Sequence, residues 1–140
     1  MARDEKLDLL HRIPLFGGLD QRHLERLGML TEEVDVPAGK VLMRQGELGE
    51  DLMLIYSGLV TVERDGKQIN KLGPGQFFGE IALIQGGPRT ATVTVETPCR
   101  LLVVNHRDFH ALMDEFPEVE TRVLLALAQR IRTLEPNALN

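Results

Sequence analysis

Cysteine is almost absent: Cys99 is alone in a chain of 140 residues. With no partner for an internal disulfide, nothing in the chain demands an oxidising compartment, and a cytoplasmic location is expected. No apolar run approaches the roughly 18–20 residues needed to cross a bilayer. No secretory signal is expected either, since Met1-Ala2-Arg3-Asp4-Glu5-Lys6 leads into an amphipathic pattern and not into an uninterrupted apolar stretch. Positive charge is in deficit, with 16 Lys and Arg against 21 Asp and Glu and a net charge of −5. That balance argues against a large electrostatic footprint, so neither nucleic acid nor membrane is expected as a partner of this chain. The four histidines, His11, His23, His106 and His110, all fall on expected helices or their ends. His106 and His110 share a helix face, but no glutamate-bearing zinc motif surrounds them and no histidines converge from strands, so no metal is expected. A Ser/His/Asp arrangement, a nucleotide-triphosphate loop and a paired acid/base constellation are also missing, and an enzyme is not expected.

What is present describes an ordinary folded domain. Hydrophobic residues make up 43% and charged residues 26%, and 140 residues suffice for one domain that buries about two-thirds of the surface its unfolded chain exposes. Residues 1–32 read as helical, with Leu7, Leu10, Leu24 and Leu27 on either side of a break at Pro14, and Asp20 is placed to cap the second helix. From 33 to 104 the period shortens. Val34/Val36, Val41/Met43, Leu52/Leu54, Val60/Val62, Ile69 and Leu72 come in short runs separated by glycine-rich turns. Asp65-Gly66 should be a tight hairpin turn, and two further strands, Arg89 to Val95 and Arg100 to Val104, flank Thr97-Pro98. Met29, Met43, Met53 and Met113 are expected as core filler. About eight short strands point to an α+β fold built on an eight-stranded antiparallel β-roll, or jelly roll. Helical spacing returns over 105–134, with Asn105 as a cap, Phe109, Leu112 and Met113 on one face, and Phe116-Pro117 ending the first helix. Val119, Val123, Leu127, Ile131 and Leu134 then form a second stripe.

Phe78-Gly79-Glu80-Ile81-Ala82-Leu83 interrupts the strands and is followed by Arg89-Thr90-Ala91. Gly79 and the segment after it suit a helical first turn whose free N–H groups, at Ile81 and Ala82, point at an anion. Arg89 supplies a planar fork that fits two phosphate oxygens. Glu80, an ionised acceptor, suits a sugar hydroxyl such as a ribose 2′-OH beside a 3′,5′-cyclic phosphate. Such a loop and short helix at the mouth of a barrel is a usual place for a small-ligand pocket.

Residues 78–93, Phe-Gly-Glu-Ile-Ala-Leu-Ile-Gln-Gly-Gly-Pro-Arg-Thr-Ala-Thr-Val, closely resemble the phosphate-binding cassette of the cyclic nucleotide-binding domain family. That family includes regulatory subunits of cyclic AMP-dependent kinase, cyclic-nucleotide-gated channels and bacterial catabolite activators. Pro14-Leu15-Phe16-Gly17-Gly18-Leu19 resembles its amino-terminal helical hairpin. The resemblance implies an N-terminal helical hairpin, a β-roll carrying a short cassette helix, and two C-terminal helices, the last folding over the pocket. It further implies a sensor for cyclic AMP or cyclic GMP, held by Gly79, Glu80, Ile81, Ala82, Arg89, Thr90 and Ala91. By distance from Pro117, Arg130 and Leu134 match the family's lid positions, one to stack on the base and the other to cover it. Val62 and Leu72 are wall residues for the base or ordinary core. A threonine at position 90 resembles members that answer cyclic GMP as well as cyclic AMP. The resemblance spans roughly residues 7–134, so a protein effector or a separate output domain is the expected partner. An interaction module with an unused pocket is the other reading.

Overall fold

The structure, a computed structural model, describes residues 2–13, 16–49, 51–79 and 87–134, and in the last helix the side chains of 117–122, 124, 125 and 128. The expected break at Pro14 and the cassette helix after Gly79 lie outside the described residues. The chain forms two compact units, residues 29–110 and residues 1–28 with 111–140.

The first unit is the roll. Its strands are β1 Thr31–Val36, β2 Val41–Met43, β3 Asp51–Ser57, β4 Val60–Arg64, β5 Lys67–Leu72, β6 Phe77–Phe78, β7 Thr92–Val95 and β8 Cys99–Asn105. They make two four-stranded antiparallel sheets, β1-β8-β3-β6 and β2-β7-β4-β5. Alternation drives the second sheet: Val60, Val62, Val93 and Val95 are buried while Thr61 and Thr94 between them are half-exposed. In the first sheet the central strands read as continuous apolar runs, because both of their faces are covered. Leu52, Leu54 and Ile55 of β3, with Leu102 and Val104 of β8, are each 0% exposed. β5 shows no alternation and is exposed except at Leu72. As an edge strand it carries Lys67 and Lys71, which discourage pairing with another chain.

Asp65-Gly66 forms the expected turn between β4 and β5. Its φ values of 55° and 78° are the two positive dihedrals that a primed turn requires. Gln45 clasps it, donating from Nε2 to Asp65 Oδ1 at 2.8 Å and accepting the Asp65 N–H at 2.9 Å. Three expectations need correction. β7 begins at Thr92 and not at Arg89, because the backbone of Arg89 is bonded elsewhere: its N–H donates to Glu47 O and its oxygen accepts from Gly46 N–H, both at 2.8 Å. β1 begins at Thr31, where pairing with Val104 extends the ladder beyond the expected start at 33. Met29, expected as core filler, is 76% exposed at the end of its helix, whereas Met113 is buried.

The second unit holds α1 Arg3–Arg12, most of α2 Gln21–Met29, and α4 Pro117–Leu134, while α3 His106–Glu115 runs from one unit into the other. Asp20 caps α2, its Oδ1 accepting the His23 N–H at 3.0 Å. Leu10, Phe16 and Leu27 are fully buried, and at Gly28 an added Cβ would lie 2.8 Å from Leu7 Cδ2, so a glycine lets the two helices approach. Pro117 opens α4 at the first helical position, where its missing N–H costs nothing. Val119 is 0% exposed, as its place on the apolar stripe requires. Among the described residues no helix is long and apolar enough to cross a membrane.

Candidate functional site

Arg89 is the only arginine among the buried charged residues of the described chain, at 9% exposure. Its backbone is locked to residues 46 and 47 on one side, and Pro88 bridges to Leu48. That attachment turns the side chain inward. Nη2 donates to the main-chain oxygen of Asp51 at 3.1 Å, at the start of β3. Nη1 is buried and has no hydrogen-bond partner among the described residues. Burial pulls the guanidinium below an arginine's ordinary pKa, and the Asp51 charge opposes that pull.

Two glycines form the slot around it. At Gly49 an added Cβ would fall on Nε of Arg89, so no other residue leaves room for the guanidinium. Gly79, directly after β6, has φ +86°, and a Cβ there would sit 2.6 Å from Asp51 O and 2.9 Å from Arg89 Nη1. The arrangement is thus a buried, forked cation, one nitrogen of which has no partner among the described residues, beside two glycines. Chemically such an arrangement suits an anion: a group with oxygens on Nη1 would meet a charge already stripped of water.

The other expected site residues fall as follows. Ala91 is buried in the roll beside Val62 and Val93. Thr90 is exposed, and its main-chain oxygen accepts from Arg64 Nε at 3.1 Å. Val62 lies in the roll core, and Leu72, opposite Val60 on β5, packs partly buried against it. Arg130 and Leu134 are on α4, but their side chains lie outside the described residues, as do Glu80, Ile81 and Ala82 altogether. The structure therefore brings Gly79 and Arg89 together. Gly49 and Asp51 were not anticipated. The first acts by having no side chain and the second through its main-chain oxygen, and neither leaves a signal in hydrophobic period or charge pattern. Among the described residues no group of three or more His, Cys, Asp or Glu side chains is arranged to hold a metal ion.

The sequence profile of the cyclic nucleotide-binding domain matches residues 33–116. The chain belongs to that family. It is 40% identical over 123 residues to a cyclic nucleotide-gated potassium channel of Rhizobium etli, covering 87% of this chain and 34% of the channel. To the CRP-like cAMP-activated global transcriptional regulator of Mycobacterium tuberculosis it is 30% identical over 135 residues, 93% of this chain and 60% of the regulator. The chain thus spans only part of the length of these relatives, which are channels and regulators. The crystal structure of the N-terminal domain of a transcriptional regulator from Streptomyces coelicolor superposes with a TM-score of 0.84 at 35% identity, covering 92% of this chain and 94% of that one. The fold is that of a cyclic nucleotide-binding regulatory domain, with its antiparallel β-roll and flanking helices.

Proposed function

We infer that this chain senses a purine 3′,5′-cyclic monophosphate, cyclic AMP or cyclic GMP, and does not hydrolyse it. One observation supports this above others: the Arg89 guanidinium, 9% exposed between Gly49 and Gly79, has a nitrogen with no partner among the described residues. A buried cation in that condition is unfavourable until an anion arrives, and a forked cation takes a phosphate through two oxygens. Around it Gly79 and the N–H groups of Ile81 and Ala82 serve the phosphate, Glu80 the ribose 2′-OH, and Ala91 leaves room beside them. Thr90 offers its hydroxyl to a phosphate oxygen or to the guanine 2-amino group. Val62 and Leu72 wall the base, and Arg130 and Leu134 of α4 cover it. The name of the Mycobacterium relative includes activation by cAMP, which favours cyclic AMP, while Thr90 keeps cyclic GMP in play.

Residues 1–32, 33–104 and 105–134 act on this proposal as one regulatory domain in the cytoplasm, answering ligand through α4 and passing the signal to a protein effector or an output domain. Its own residues touch neither nucleic acid nor membrane, and they use no metal. Among the described residues of the receptor none is placed as a nucleophile or general base at phosphorus, and binding without turnover is expected. Calorimetric titration with cyclic AMP and cyclic GMP, with 5′-AMP as control, tests the proposal. Saturable binding of a cyclic ligand is expected, and no binding of either at millimolar concentration rejects it.

A further inference from the structure

We propose that Asn105 is a positioning residue that ties the Arg89 receptor to the start of α3. Asn105 ends β8 directly opposite Asp51, the first residue of β3. Its amide is divided between two tasks. Nδ2 donates to Asp51 Oδ1 at 3.2 Å, while Oδ1 accepts the N–H of Arg107 at 2.8 Å and of Asp108 at 3.4 Å in the first turn of α3. Asp51 in turn takes Arg89 Nη2 on its main-chain oxygen, the same oxygen over which Gly79 packs. All of these residues belong to the compact unit 29–110.

Capping alone does not explain asparagine. A helix start needs only an acceptor, which serine or aspartate supplies equally well. Here a serine would fall short of Asp51 and an aspartate would set two carboxylates against each other. Asparagine caps the helix and donates backwards with one side chain. Resting on the anion-site reading, the consequence is mechanical. A phosphate drawn onto the guanidinium shifts its hold on the Asp51 carbonyl, and Asp51 transmits that shift through Asn105 to the amides of Arg107 and Asp108. A coupling of this kind needs a hydrogen-bonded path whose members respond together, and these five residues form one.

Amide exchange at Arg107 and Asp108, with and without saturating cyclic AMP, tests the tie. In the parent the ligand slows exchange at these amides by about 3- to 10-fold, the scale of one hydrogen bond made firmer. Asn105→Ser keeps a cap but falls short of Asp51, so this variant binds cyclic AMP and loses the slowing. The paired exchange Asp51→Asn with Asn105→Asp restores it, because donor and acceptor have traded places. Slowing that persists in Asn105→Ser overturns the tie. A parent that binds without slowing also overturns it and leaves the ligand reading intact, whereas a parent that binds no cyclic nucleotide removes both.

Discussion

Arg89 is a buried cation whose charged form burial disfavours, and its replacement separates binding from folding. Arg89→Ala is expected to weaken cyclic nucleotide binding by about 2–5 kcal/mol, because the phosphate would be desolvated without its partner. The ligand-free fold should survive or gain slightly, since the variant no longer holds a cation that burial disfavours. Calorimetry and urea unfolding on the same variant check both halves. Gly79→Ala should behave oppositely and destabilise the free protein by about 1–3 kcal/mol, the usual range for a strained backbone conformation. Its φ is +86° and its Cβ would press on Asp51 O. Cys99 gives a third expectation. Burial raises its thiol pKa, and Sγ lies 3.1 Å from Thr97 O, so the reactive thiolate is suppressed. A disulfide reagent should label it slowly in the native protein and rapidly in urea; equal rates would refute this. Of the receptor, Arg89 and Gly79 were legible because a forked cation and a glycine at a strand end announce themselves by type. Gly49 and Asp51 were not, since their contributions are an absent Cβ and a peptide oxygen.

Among the elements, those with a strong local signal stand where the sequence put them. Asp20 and Asn105 cap their helices, and Asp65-Gly66 turns β4 into β5, because each motif carries its own geometry: a side-chain acceptor for the first helical amides, or two residues that tolerate positive φ. Asp20→Ala should therefore cost about 1 kcal/mol of stability and Asp20→Asn much less, as a side-chain acceptor is retained. Thermal melts of the two variants measure the difference. Strand limits were less legible. Arg89-Thr90-Ala91 looks like the head of a strand, yet its first residue is bonded to 46 and 47, a distant pairing that no local pattern encodes. β5 hides for another reason: on an exposed edge, Lys67 to Lys71 have no buried face to impose alternation. Membership of the family was legible from residues 78–93 alone, since that stretch sets an acid, an arginine, a hydroxyl residue and several small residues at fixed spacing.

In a chain built as two compact units the proposed binding has two readouts, one of stability and one of motion. Because Arg89, Gly79 and Asp51 all belong to residues 29–110, a ligand that binds only the folded receptor must stabilise that unit. At a hundredfold excess over the dissociation constant the gain is about 2.7 kcal/mol, a rise in melting temperature on the order of 10 °C for a chain of this size. The same excess of 5′-AMP, which lacks the cyclic diester, should shift it far less. The proposed motion is that of α4, which belongs to the other unit. A ligand can alter that helix only if it interacts differently with two of its states. Leu124 and Leu125 of α4 are 50% and 65% exposed, so apolar surface of this helix is available for a ligand-dependent contact. Amide exchange across 124–134 should accordingly slow on saturation, and removing 128–140 should speed ligand dissociation while the roll stays folded. If exchange there is unchanged although the melting temperature rises, binding is confined to the roll and α4 is no part of the response.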